Sequence, residues 1–312
     1  MPAASVIIPA RNAATTIGAT LAGLAAQDFA DEFEVIVVDD GSTDGTAEVV
    51  AAAPLEVRLV REPGIGPGPA RNAGVAQASS RVLAFIDSDC VPNPGWLSAG
   101  VDALATADLV QGAVHADPDA VRRPFDRTLW VTREHGLYEC ASLFVRRDAF
   151  ESAGGFEDWL DARIGKPLAE DAWLGWRIRR AGRRTAFSER ALVHHAVFER
   201  GMLEFAGERV RATYFPDLVR KIPELRRHFL FGRVFLNRRT AAFDLGLAGA
   251  AVAVLAFPPA LAALAPYAWT VGRSAFRWRL ATPRATLGEL LADAVGFAAL
   301  AAGSVRARTL VI

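Results

Sequence analysis

The 312 residues are 52% hydrophobic and 22% charged, which excludes a disordered chain and allows a large core. Lys and Arg number 35, as do Asp and Glu, so net charge singles out no partner, and no nucleic acid is expected as one. Cys90 and Cys140 are too few for a disulfide framework and lack zinc-site clustering, which favours a reducing compartment and two buried thiols.

The opening Met1-Pro2-Ala3-Ala4-Ser5-Val6-Ile7-Ile8-Pro9 has no basic region ahead of a long apolar stretch, so no secretory signal is expected and the bulk of the chain is expected in the cytoplasm. Short apolar runs at Ser5–Ile8, Phe33–Val38, Val57–Val60, Val82–Ile86 and Leu109–Val114 read as strands. Between them, Ala14–Gln27 places Ile17, Leu21 and Leu24 at helical spacing after Thr15 or Thr16, and Thr46–Ala53 follows Asp44, a good N-cap. Strands apolar on both faces and separated by helices predict an α/β fold with a doubly wound, mostly parallel sheet flanked by helices. Ligands of such sheets bind beyond the carboxyl ends of the strands. Past residue 115 the alternation loosens into a segment expected to be helix-rich, followed by a strand at Leu143–Val145, the pair Gly154-Gly155 and a helix from about Glu170 to Ala181.

From Arg220 to Arg239 seven basic residues face one acid, Glu224. Ala241–Val271 then carries a single charge, Asp244, and is longer than the roughly 20 residues needed to cross a bilayer. Pro258-Pro259 near its middle predicts a break into two shorter helices. A complete crossing would put Arg273, Arg277, Arg279 and Arg284 outside, so a shallow hairpin or interfacial helices beside anionic lipid is expected. Thr286–Val305, with Glu289 and Asp293, is a weaker apolar segment.

The polar residues gather where strands end. Asp87 and Asp89 follow Val82–Ile86, and hard oxygen ligands at one point suit Mg²⁺ or Mn²⁺ bridging phosphates. Asp39 and Asp40 close the second strand, where a carboxylate can accept from a ribose hydroxyl or a uracil N3–H. Arg71, in Gly66-Pro67-Gly68-Pro69-Ala70-Arg71-Asn72, can pair with phosphate or ribose oxygens. Glu170-Asp171 begins a helix whose dipole favours ionised carboxylate, and an ionised Asp171 can take a proton from an attacking hydroxyl. A dehydrogenase would need a Gly-x-Gly-x-x-Gly turn where Pro9-Ala10-Arg11-Asn12-Ala13 stands.

Ser5-Val6-Ile7-Ile8-Pro9-Ala10-Arg11-Asn12, Val38-Asp39-Asp40-Gly41-Ser42-Thr43-Asp44, Ala70-Arg71-Asn72, Phe85-Ile86-Asp87-Ser88-Asp89, Gly154-Gly155-Phe156 and Glu170-Asp171 occur in the order found in family 2 glycosyltransferases, which the chain resembles over residues 4 to 200. The resemblance implies a GT-A fold, a nucleoside-diphosphate sugar donor with UDP favoured, a Mg²⁺ or Mn²⁺ ion, and inversion by single displacement. It implies that Pro9, Ala10, Arg11, Asp39 and Asp40 hold the nucleoside, with Arg71 and Asp87 supporting the nucleotide. It further implies Asp89 and His195 as metal ligands, Asp171 as base, and secondary or acceptor-side places for Glu170, Gly154, Gly155 and His194. His194 and His195 adjoin on a strand and point to opposite faces, so one of them is expected to serve.

No Gln/Arg-x-x-Arg-Trp element follows the acids, so single-sugar addition is expected, to a glycan or polyprenyl-linked acceptor. The expected organisation is a catalytic domain over 1–220 (nucleotide half 1–115, acceptor half 116–220), a basic connector over 221–240 and an apolar helical region over 241–312 contacting membrane lipid. The whole is expected at the cytoplasmic face of the cell membrane. A membrane-tethered sugar-nucleotide-binding module without catalysis is the competing expectation.

Overall fold

The computed structural model describes residues 1–160, 168–255, 257–278 and 282–312, so Arg279 lies outside the described residues. The chain divides into two compact units, one holding the described residues of 1–120, 128–160 and 168–197, the other 121–127 and 198–312.

The first unit is built on eight strands: β1 (Ala4–Ala10), β2 (Phe33–Asp40), β3 (Arg58–Glu62), β4 (Val82–Phe85), β5 (Cys90–Pro92), β6 (Leu109–Ala116), β7 (Leu143–Arg146) and β8 (Thr185–His195). They form one sheet in the order β3-β2-β1-β4-β7-β6-β8-β5. The first four are parallel, joined by α1 (Ile17–Ala25), α2 (Thr46–Ala51) and α3 (Pro67–Gln77). Both faces of β1 and β2 are covered, which is why their sequences run apolar without alternation. Val6, Ile8, Val35 and Val37 pack with Ile17, Leu21 and Leu24 on one side, while Ile36 and Val38 meet Ala70 on the other. Each such fully buried side chain contributes about 1.5–3 kcal/mol.

The sheet is mixed, for β7 inserts between β4 and β6 and runs antiparallel to both. α4 (Trp96–Ala103), α5 (Arg147–Ser152) and α6 (Glu170–Arg180) complete the unit. The expected helix-rich segment after residue 115 is instead loop from 117 to 139, where Pro118, Pro124 and the left-handed Gly136 interrupt any helical run.

The second unit is helical: α7 (Met202–Gly207), α8 (Phe215–Lys221), α9 (Leu225–His228), α10 (Arg238–Leu255), α11 (Ala265–Phe276) and α12 (Thr282–Ala307), with 3₁₀ turns at Glu208–Tyr214 and Pro258–Leu264. The apolar run breaks at Pro258-Pro259 as expected. α10 folds back on the following turn through small residues, for a Cβ on Gly249 would lie 2.6 Å from the Ala260 carbonyl oxygen. Arg239 on α10 is paired with Glu289 and Asp293 of α12, each at 2.6 Å, and Tyr267 of α11 donates to Asp293 at 2.7 Å. Among the described residues one helix is long and apolar enough to cross a membrane, and it is the weaker apolar segment: Pro283–Ala307, mean hydropathy 1.5.

Candidate active site

The carboxyl ends of β1 and β2 carry two loops laced to one another. Asn12, in the left-handed region at φ 52°, accepts from the Thr43 amide at 2.8 Å, and its own amide donates to Ser42 Oγ at 3.0 Å. The Ala13 amide donates to Thr46 Oγ1 at 2.8 Å, and Asp44 accepts from the Ala14 and Thr46 amides. Asp44 therefore stands one place ahead of the helix cap, Gly45, and ties the two loops together. Pro9 and Ala10 lie within β1, opposite Val38 and Asp39, and Arg11 starts the loop with its guanidinium beside Gly64.

Asp39 and Asp40 differ in what their oxygens already hold. Asp39 Oδ1 accepts from the Ser42 amide at 2.9 Å. Both oxygens of Asp40 accept backbone amides, Ile65 at 2.6 Å and Gly66 at 2.9 Å, so this carboxylate orders the turn in which Gly64 and Gly66 have φ 93° and 96°.

α3 delivers Arg71 into the centre of the unit. Its Nη2 donates to Asp87 Oδ1 at 2.8 Å and its Nη1 to Glu170 Oε1 at 3.0 Å, with Arg71 and Glu170 both buried. The guanidinium also lies 5.6 Å from the Phe156 ring centroid. Phe156 is fixed by Asn72, which donates to its carbonyl at 2.8 Å and accepts from its amide at 2.9 Å. Gly154 and Gly155, at φ 82° and 69°, make the turn that leads there, and Arg177 donates to the Ala153 and Gly155 carbonyls. The glycine pair thus shapes the support of Arg71.

Asp171 is half-buried beside this cluster, its Oδ1 accepting the Ala172 amide at 2.7 Å. Burial and the neighbouring Glu170 and Glu139 push its pKa well above the ordinary carboxylate range. The helix dipole that favours its ionised form is opposed here by desolvation and like charge. Burial likewise pushes Glu139 up to about 7. Cys140 and Cys90 are buried thiols whose pKa values burial raises, so neither is a ready nucleophile.

Asp89 lies apart from the arginine cluster. β5 pairs with the end of β8 so that Cys90 faces His195, and the Ala196 amide donates to the Asp89 carbonyl at 2.8 Å. His195 Nδ1 lies 2.6 Å from the Ala196 carbonyl, a contact that suits a proton on Nδ1, and Nε2 lies 3.6 Å from Asp89 Oδ2. The ligand atoms of Asp89, Cys90 and His195 all fall within 4.8 Å of one another, a spacing that one cation can bridge. The Asp89 carboxylate is a hard oxygen ligand of the kind that suits Mg²⁺ or Mn²⁺. His194 sits with Nδ1 3.3 Å from the Ala116 carbonyl.

The structure therefore brings together Arg71, Asp87, Glu170 and Asp171 in one cluster and Asp89 with His195 in another. Sequence reasoning missed Glu139, which no local pattern marks, and Thr128, whose hydroxyl lies 3.5 Å from His195 Nδ1. Asn72 stood within the Ala70-Arg71-Asn72 motif without a role.

Residues 5–153 match Glycosyl transferase family 2. Glycosyltransferase AglE of Haloferax volcanii is 36% identical over 176 residues, 51% of this chain and 58% of its own length. A pre-mycofactocin glycosyltransferase of Mycobacterium tuberculosis is 28% identical over 61% of this chain and 42% of its own length. The chain thus spans less than two thirds of either relative. A mannosyltransferase from Pyrobaculum calidifontis, solved with GDP-Man and Mn²⁺, superposes with a TM-score of 0.62 at 23% identity, covering 95% of this chain and 87% of its own. TarS of S. aureus, solved with UDP, gives 0.50 at 21% identity over 97% and 91%. These likenesses establish the GT-A fold, with residues 5–153 similar to Glycosyl transferase family 2.

Proposed function

We propose that the protein is an inverting glycosyltransferase that moves one sugar from a nucleoside diphosphate, UDP or GDP, to a hydroxyl of a glycan or polyprenyl-linked acceptor at the cytoplasmic face of a membrane. The observation that carries this reading is the juxtaposition of Asp171 with the Arg71-Asp87-Glu170 ion cluster, in a fold shared with proteins solved holding GDP-Man with Mn²⁺ or UDP. The laced loops at Arg11–Asp44 and the turn ordered by Asp40 frame the nucleoside, with Asp39 offering an acceptor. Asp89 and His195 are the residues that would hold Mg²⁺ or Mn²⁺, which when bound offsets charge gathering on the departing diphosphate.

Arg71 keeps Asp87 and Glu170 in place in a buried setting, so the donor meets a preformed surface. Asp171 accepts the proton of the acceptor hydroxyl as that oxygen attacks the anomeric carbon, opposite the leaving group, which inverts the centre. Nucleotide release from a panel of UDP-, GDP- and TDP-sugars with Mn²⁺ tests the donor class. Asp171→Asn is expected to lower transfer by about 10²–10⁴-fold with nucleotide affinity unchanged. Nucleotide binding without turnover of any donor in the wild type would instead favour a catalytically silent binding module.

A further inference from the structure

The second unit contains a hollow of about 450 Å³ lined by Pro223, Glu224, Arg226, Arg227, His228 and Arg233. Its cationic lining is set by backbone geometry. Arg226 donates to the carbonyls of Arg233 and Leu310 at 3.0 and 3.1 Å, which holds the 226–233 segment against the chain end. Phe231 and Phe235 exchange backbone hydrogen bonds at 2.9 and 3.0 Å, and Arg233 sits in the tight turn between them at φ 69°. Arg227 and Arg233 are exposed, and Glu224 is the one carboxylate lining the hollow.

Apolar surface lies immediately beside it. Phe231 and Leu310 are 44% and 54% exposed, and Arg238, the first residue of α10, lies over the Phe231 ring at 5.5 Å. α10 then leads away through Leu245, Leu247, Val252, Val254 and Leu255, all exposed. A concave guanidinium cluster suits the oxygens of a phosphate, and an apolar helix leading from it suits an acyl or isoprenoid chain.

We propose that this hollow is a binding site for the phosphate headgroup of an anionic lipid, with Arg227 and Arg233 as its phosphate ligands and the exposed side of α10 meeting the lipid chains. The site is separate from the sugar-transfer chemistry proposed above, and its test reads binding alone. Co-flotation of the full chain with phosphatidylcholine vesicles, with or without one part in five of phosphatidic acid, is the measurement. Wild type is expected to favour the phosphatidic acid vesicles. Arg227→Gln with Arg233→Gln is expected to weaken that binding about 25-fold, at about fivefold per arginine near an anionic surface. Arg227→Lys with Arg233→Lys keeps most of it, and Arg81→Gln with Arg190→Gln, an equal change of charge on the first unit, changes it less than about twofold. Undiminished binding by the Arg227/Arg233 glutamine pair overturns the proposal, as does an equal fall in the Arg81/Arg190 pair. Inorganic pyrophosphate binding in solution that is lost in Arg227→Gln with Arg233→Gln, with vesicles adding nothing, assigns the hollow to a soluble phosphate and overturns the lipid reading.

Discussion

Asp171 loses its proton at higher pH than an ordinary carboxylate because burial and two neighbouring acids oppose its charge. A base acts only after that loss, so transfer at limiting substrate should fall on the acid side and climb with pH over a range displaced above that of an ordinary carboxylate. Glu139, pushed up to about 7, gains its charge near neutrality. Glu139→Gln removes that charge, eases ionisation of Asp171, and should move the rising limb to lower pH. A rising limb that stays in the ordinary carboxylate range, or a shift the other way in Glu139→Gln, contradicts Asp171 as the base. Arg71→Lys keeps one charge but cannot bridge Asp87 and Glu170 together. Its expected cost, read by urea unfolding, is about 1.5–3 kcal/mol for the lost charge-assisted bond. The identities in these clusters were legible in the sequence, because acids collect where apolar runs stop. Their division of labour was not: that both Asp40 oxygens are taken by amides of Ile65 and Gly66 depends on a turn whose path the sequence does not spell out.

At the level of elements, α3 can bring Arg71 to its partners only by approaching β1 closely. A Cβ on Gly74 would lie 2.6 Å from Ile7 Cγ2 and 3.1 Å from Val38 Cγ2. Gly74→Ala should therefore destabilise by about 1–3 kcal/mol through overpacking. Gly45→Ala, where the nearest atom is the flexible Glu48 carboxylate at 4.0 Å, should stay within about 0.5 kcal/mol in the same unfolding measurement. β1, β2 and β4 were readable because burial on both faces imposes an apolar run on each. β5 was not, since three residues carry no periodicity, and β7 was readable as a strand but not in its place, because strand order is set by pairing far along the chain. His195 meets Asp89 only through the β5–β8 register, so that pair could be inferred from family pattern but not from spacing.

For the whole molecule, the apolar surface of the second unit is the dominant feature. Trp269, Val254, Leu255, Phe276 and Val305 are each more than 70% exposed, beyond what an isolated soluble helical unit needs. The full chain should sediment with membranes and resist extraction by high salt, and recovery in the salt supernatant would exclude apolar insertion. The sequence marked this region but weighted it towards Ala241–Val271, because Glu289 and Asp293 made the later segment look less apolar. The structure shows why those acids are tolerated: Arg239 takes both. That pairing bears on biogenesis. An α12 that reached lipid alone would bring two carboxylates with it, whereas α10 is synthesised first and carries their counter-charge. With Arg239 made first, Glu289 and Asp293 emerge to a waiting counter-charge, so α10 together with α12 carries a net −1 at this cluster where α12 alone would carry −2.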